Sequence, residues 1–123
     1  RRMQLTRDLD EHPLTITGVD GVRIRVGQTW LDTSFYVGQQ QLQPWAPRQY
    51  GEIDVASLQI LLDHGPELIL IGTGPRVQLL PPALQALVLA RRCGLECMRN
   101  DAAARTYNLL LGEGRAVLAA FLV

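Results

Sequence analysis

Leu14 to Val19 alternates Leu14, Ile16 and Gly18 with Thr15, Thr17 and Val19, and beyond Asp20-Gly21 the residues Val22, Ile24 and Val26 alternate with Arg23 and Arg25. A period of two is the mark of a strand with one buried face. Asp-Gly between two such runs predicts an N-terminal β-hairpin closed by a type I′ turn, which needs positive φ at both central residues. One face of the second strand is apolar and the other carries arginine, so this sheet has a wet side. Thr29-Trp30-Leu31 and Phe35-Tyr36-Val37 predict one or two further strands. The stretch from Gly38 to Gly51 contains Gln39-Gln40-Gln41 and Pro44-Trp45-Ala46-Pro47, shows no periodicity, and reads as an irregular surface connection.

The second half changes period. Asp54 is placed to cap a helix running to about Asp63, with Val55, Leu58, Leu61 and Leu62 on one stripe, and Gly65-Pro66 stops it. Glu67 to Ile71 is an almost unbroken apolar run, as expected of a strand covered on both faces. A Gly72-Thr73-Gly74-Pro75 loop follows, then a helix from Pro82 through Cys93 with Gly94 as its C-cap. Leu95 to Met98 reads as a short strand. Asn100 or Asp101 then caps a third helix, Ala102 to Leu111, which Gly112 ends, and Ala116 to Val123 reads as a buried last strand of undecided direction. Helix and strand alternating in this way imply a layered α/β fold. The connection from Glu67–Ile71 to Leu95–Met98 is long enough for a parallel crossover.

With 123 residues the chain is expected to form one domain, residues 1–123, with 1–13 as a flexible N-terminal segment. Arg1-Arg2-Met3 and the polar residues after it do not read as a signal peptide. The apolar run at the C-terminus is far shorter than the roughly 20 residues of a membrane-spanning helix. Twelve basic residues balance twelve acidic ones, so the basic excess typical of nucleic-acid binders is absent and no nucleic-acid partner is expected.

All the basic residues are arginine. A Walker-type loop and a Schiff-base mechanism both need lysine and are excluded. Neither serine, Ser34 or Ser57, lies in a Gly-x-Ser-x-Gly elbow. A zinc site would have to be drawn from Cys93, Cys97, His12 and His64, whose spacing fits no standard finger, so no metal and no cofactor are expected. The two cysteines read instead as buried thiols in a reducing cytoplasm, with a Cys93–Cys97 disulfide open only if the intervening turn brings them together.

Three places could carry chemistry. Gly72-Thr73-Gly74 follows a buried strand, where open α/β sheets bind ligands. It resembles the start of a dinucleotide fingerprint, with Glu96 near the ribose-binding position. Val77 stands where the third glycine belongs, however, and Pro75 and Pro81-Pro82 delay the helix, so a strand-exit turn is favoured. The third helix is apolar almost all round apart from Arg105, Thr106 and Asn108. Either Asn108 and Tyr107 tie it to neighbouring backbone or Arg105 and Asn108, near Thr73, line a polar pocket. Asp101 and Arg105 are spaced to pair on the surface. Glu113 beside Arg115 lacks a second carboxylate for acid–base work. Trp45 and Tyr50 in the irregular segment either fold back on the core edge or, in the case of Trp45, anchor a partner.

Taken together, Ile71-Gly72-Thr73-Gly74, Leu80-Pro81-Pro82, Glu96-x-Met98, Ala102-Ala103-Ala104-Arg105-Thr106-Tyr107-Asn108 and Glu113-Gly114-Arg115-x-Val117 resemble the small bacterial proteins related to mitochondrial complex I (NADH dehydrogenase) assembly factor 3. The similarity runs from about Ile16 to the C-terminus. Asn100 stands where that family more often has threonine, and Ala104 where many of its bacterial members have cysteine. The resemblance implies a three-layer α/β domain with a mixed central sheet, no established catalytic residue and no established cofactor. It also implies a role by analogy with the mitochondrial relative, which acts through protein contact during assembly of a membrane complex. Two functions follow as expectations. One is a non-catalytic interaction or assembly factor with a protein partner. The other is a small-ligand binder or enzyme using Gly72, Thr73 and Gly74 with Arg105 and Asn108. Oligomeric state is not legible.

Overall fold

A computed structural model of the chain describes residues 14–123, and the N-terminal segment 1–13, with His12, lies outside the described residues. Eight strands, three α-helices and one 3-10 turn (Tyr50–Glu52) are present among these residues. Strands β1 (Ile16–Asp20), β2 (Arg23–Val26) and β3 (Thr29–Leu31) form a small antiparallel sheet. Five strands form the central sheet in the order β5 (Gln41–Pro44), β4 (Phe35–Gly38), β8 (Val117–Phe121), β6 (Leu68–Gly72) and β7 (Gly94–Met98). Helices α1 (Val55–Leu62), α2 (Pro82–Ala90) and α3 (Asn100–Gly112) complete the architecture.

The central sheet is mixed. β8 runs parallel to β6, and β6 parallel to β7, while β4 is antiparallel to both β8 and β5. This fixes the direction of the last strand. Period two then divides the apolar runs between two cores. Ile69, Ile71, Leu118 and Ala120 face α1 and α2, together with Leu58, Leu61 and Val88. Leu70, Val117, Ala119 and Phe121 face α3 and the small sheet, together with Tyr107, Ile24 and Val26. The result is three layers, with two helices below the sheet and a helix plus a small sheet above it.

Several elements start and stop where their chemistry dictates. Asp54 caps α1 in a reciprocal box, its carboxylate accepting from Ser57 N at 2.9 Å while Ser57 Oγ accepts from Asp54 N at 2.9 Å. Pro82 opens α2, where the missing N–H costs nothing. Gly65, at φ +69°, turns the chain after α1.

Four expectations are corrected. The first hairpin pairs Asp20 with Arg23, so its loop is Gly21-Val22, and Gly21 does not adopt positive φ. Instead the Asp20 carboxylate accepts from Val22 N at 3.4 Å and from Arg23, which closes the turn from the side. The connection after Gly38 contains strand β5, a polar edge strand ending at Pro44, where a proline is tolerated because no neighbour needs its N–H. Helix α2 ends at Ala90, not Cys93; Arg92 takes the left-handed conformation at φ +58°, and Gly94 begins β7. Neither Asn100 nor Asp101 caps α3 from outside. Arg99 occupies the cap position, and Asn100 is the first helical residue with its amide committed elsewhere.

Candidate functional site

The parallel strands β6, β7 and β8 end level with one another, Gly72 standing beside both Met98 and Phe121. Open α/β sheets place ligands beyond such carboxyl ends. Here the chain continues into Gly74-Pro75, Arg99-Asn100-Asp101 and Leu122-Val123, which make one wall of a cleft of about 780 Å³. The opposite wall is the tip of the first hairpin, Val19 to Arg23, with Asp32.

Asn100 organises the floor. Its Oδ1 accepts from Gly74 N at 3.0 Å and its Nδ2 donates to Leu122 O at 3.0 Å, joining the exits of β6 and β8 to the start of α3. Gly72 has to be glycine beneath it, because a Cβ there would meet the Asn100 amide oxygen and lie 2.6 Å from Phe121 Cδ1. Gly74 has φ +92°, a conformation that favours glycine, and its N–H is the one that Asn100 receives.

The charged groups on both walls are paired within the chain. Arg23 donates to Asp20 from Nη2 at 3.1 Å. Arg99 makes a two-pronged contact with Asp101, 3.0 Å from each nitrogen, and Arg105 adds a longer contact to the same carboxylate at 3.7 Å. The hydrogen bond from Arg23 holds the Asp20 carboxyl below its ordinary value, and that from Arg99 does the same for Asp101. Asp32 also lines the cleft and has no ion-pair partner among the described residues.

The residues singled out from the sequence are not gathered in one place. Of them, Gly74 and Asp101 line the cleft, and Asp101 meets Arg105 as its spacing predicts. Thr73 is buried, with Oγ1 2.6 Å from Arg76 O, 3.2 Å from Met98 O and accepting from Gln78 N at 3.2 Å. Arg105 is exposed on α3, and Thr106 Oγ1 lies 3.5 Å from Met98 Sδ. Tyr107 donates to Leu14 O at 2.7 Å. Both amide atoms of Asn108 are bonded to Ile16. Trp45 is interior rather than a surface anchor, only 4% exposed, with Nε1 donating to Ser57 O at 3.1 Å. Tyr50 donates to Leu79 O.

Sequence reasoning missed Asp20, Arg23, Asp32, Arg99 and the bridging role of Asn100. The signal available was the hairpin tip. What hid the site was the undecided direction of β8, since only parallel pairing brings three strand exits together. Cys93 and Cys97 are free thiols, the first buried and the second half-buried. His64 lies 3.0 Å from the Tyr36 hydroxyl. Among the described residues no three His, Cys, Asp or Glu side chains are grouped to hold a metal. No described helix is long and apolar enough to cross a membrane.

With this geometry the chain can be compared with known proteins. A crystal structure of a Bordetella parapertussis protein is 34% identical and superposes with a TM-score of 0.85 over 89% of this chain and 95% of that one. A Xanthomonas campestris protein is 37% identical, with a TM-score of 0.82 over 89% and 83%. A Bordetella pertussis protein described as a Mth938-like domain is 28% identical, with a TM-score of 0.78 over 88% and 84%. Among curated sequences, a Francisella tularensis protein named 13 kDa major membrane protein is 43% identical over 67 residues, 53% of each chain. An uncharacterised Rhodobacter capsulatus protein is 40% identical over 79 residues, 64% of this chain and 60% of that one. The match thus spans between half and two thirds of the length of these curated relatives. Residues 16–122, which include both sheets and all three helices, match a family profile described as protein of unknown function (DUF498/DUF598), and the chain belongs to that family.

Proposed function

We propose that the protein is a non-catalytic interaction factor that binds a protein partner across the strand-end cleft, in the manner of an assembly factor. The observation that carries this reading is the internal pairing of the cleft's arginines, Arg23 with Asp20 and Arg99 with Asp101. A general acid near neutral pH needs a carboxyl pushed upward. Asp20 and Asp101 are held down instead. What remains is the lone carboxylate of Asp32 and a shaped rim with Val22 highly exposed at its tip, suited to contact rather than turnover.

The resemblance to complex I assembly factor 3 suggests the partner class, subunits of a respiratory complex. A cytoplasmic location belongs to the same proposal and is supported by the two free thiols. The test is affinity capture from the source cells with the wild type, Val22→Glu/Arg99→Ala in the cleft, and Ala56→Glu on α1. Proteins held by the wild type and Ala56→Glu but lost by the cleft variant support the reading. Equal capture by all three, or none, overturns it.

A second reading, a small-ligand-binding protein, is favoured by the size of the cleft, which falls in the range of small-molecule pockets. Of the turn first suggested for that role, Gly74 lines the cleft, and Asn100 and Arg99 stand where Arg105 and Asn108 were expected. A thermal-shift screen over nucleotides and metabolites tests it, since a bound ligand raises Tm by mass action. A shift that persists in Arg99→Ala would not come from this cleft.

A further inference from the structure

The two edges of the central sheet are treated differently. β5 closes one edge as a short strand that ends at Pro44, a residue that discourages a further strand. β7 closes the other with Gly-Leu-Glu-Cys-Met, without proline or arginine, and none of its residues is fully buried. Gly94 N donates to Glu67 O at 2.9 Å and Met98 O accepts from Thr73 N at 2.8 Å, so Gly94, Glu96 and Met98 spend their main-chain groups on β6. By alternation, Leu95 and Cys97 direct N–H and C=O away from the sheet. Those groups have no partner among the described residues.

Beside this edge runs a groove of about 160 Å³ lined by Leu79, Leu80, Leu89, Leu95 and Cys97 and by the polar residues Gln85 and Glu96. Leu79 is 66% exposed and Leu89 61% exposed, so its apolar wall stands in water. Glu96 is the only charged side chain on β7 and has no ion-pair partner among the described residues. A second copy of the chain is a poor occupant. The antiparallel register that sets Leu95 opposite Cys97 also sets Glu96 directly opposite Glu96, and like charges so placed are destabilising.

We infer that the free edge of β7 receives an extended segment of a partner protein as an added strand, with alternate apolar side chains on Leu79 and Leu89 and a lysine or arginine across from Glu96. Main-chain bonds to Leu95 and Cys97 supply the attachment, and the groove and the carboxylate supply the selection. The inference goes beyond the cleft reading, because the two surfaces share no residue.

The probe is a capped peptide, Val-Thr-Val-Lys-Val-Thr-Val, with a twin in which glutamate replaces lysine, added to the 15N-labelled protein. Amide hydrogen exchange at Leu95 and Cys97 is expected to slow with the lysine peptide, with shifts along Leu79 and Leu89. The glutamate peptide is expected to bind about two- to fivefold more weakly, the usual reach of a cross-strand charge pair. Glu96→Lys, an exposed change, should reverse that preference, and Val22→Glu in the cleft should leave it unaltered. Absent protection at Leu95 and Cys97, equal affinity for both peptides, shifts confined to the cleft, or a peptide-free dimer broken by Glu96→Lys would each overturn the inference.

Discussion

Asn108 on α3 holds the backbone of Ile16 on β1 with both atoms of its amide, Oδ1 accepting from Ile16 N at 2.9 Å and Nδ2 donating to Ile16 O at 2.8 Å. The side chain imitates a neighbouring strand at the end of the small sheet, next to the bulge that interrupts the β1–β2 register at Thr17. Replacing it with leucine leaves both main-chain groups of the buried Ile16 without partners. Asn108→Leu should therefore cost about 1–3 kcal/mol in urea unfolding. Asn108→Asp keeps the acceptor, loses the donor and sets a negative charge against Ile16 O, so it too should destabilise. Unchanged stability in both variants would mean the small sheet is not held through this residue.

Gly72 is pinned between two groups that cannot withdraw. Phe121 is fully buried and stacked on Phe35 at a centroid distance of 5.2 Å, and Asn100 is bonded at both amide atoms. Gly72→Ala should cost about 1–3 kcal/mol by overpacking. Gly51, whose added Cβ would meet nothing within 4 Å, is the control. Gly51→Ala should stay within about 0.5 kcal/mol of the parent. Thermal unfolding of the pair distinguishes a local clash from a general intolerance of glycine replacement.

The same residues show how far the pattern along the chain carries. Glu67 to Ile71 could be read as a doubly covered strand because its apolar positions do not alternate, and the structure sends Ile69 and Ile71 to one core and Leu70 to the other. The Asp54 cap was legible because its partner Ser57 lies within one helical turn. β5 was not, since Gln41 to Pro44 become a strand only through pairing with β4, a tertiary effect that overrides weak local preference. Asn100 looked like a cap from its neighbours. Its bonds go instead to Gly74 and Leu122, residues brought to it by the parallel pairing of β6, β7 and β8.

Stability should fall at both ends of the pH scale for separate reasons. The hydrogen bond from Arg115 is the largest influence lowering the Glu67 carboxyl, and the Ser57 N–H is the largest on Asp54; Arg23 and Arg99 act likewise on Asp20 and Asp101. Folded values below unfolded ones mean stabilisation that is complete above the ordinary carboxylate range and lost as pH falls through the lowered values. The urea midpoint should hold from neutrality to about pH 5 and decline below about pH 4. Glu67→Gln should shrink that acid limb, and high salt should shrink the arginine-paired share most. Tyr107 behaves oppositely. Burial raises its phenol above the ordinary value, so its contribution is intact below about pH 10 and lost above it. Tyr107→Phe should remove the Tyr107 share of the alkaline limb and leave the share of the raised Cys93 and Cys97 thiols, while costing about 0.5–1.5 kcal/mol for the bond to Leu14 O.

Cys93 and Cys97 differ in access rather than in kind. Cys93 is 2% exposed with Sγ 3.3 Å from Gly94 O, and burial pushes its thiol up. Cys97 is half-buried in the β7 groove. Burial raises its thiol too, and the Glu96 carboxylate adds to the rise against a lowering contact from the Leu80 backbone. Alkylation proceeds through the thiolate, so both should react more slowly than free cysteine at neutral pH. Mass spectrometry of a time course should show Cys97 labelled first and accelerating with pH. Cys93 should be labelled only as fast as the protein opens. Glu96→Gln removes a negative neighbour and should speed Cys97 without changing Cys93. Equal rates at the two cysteines in the folded protein would contradict the burial of Cys93 between α2 and β6.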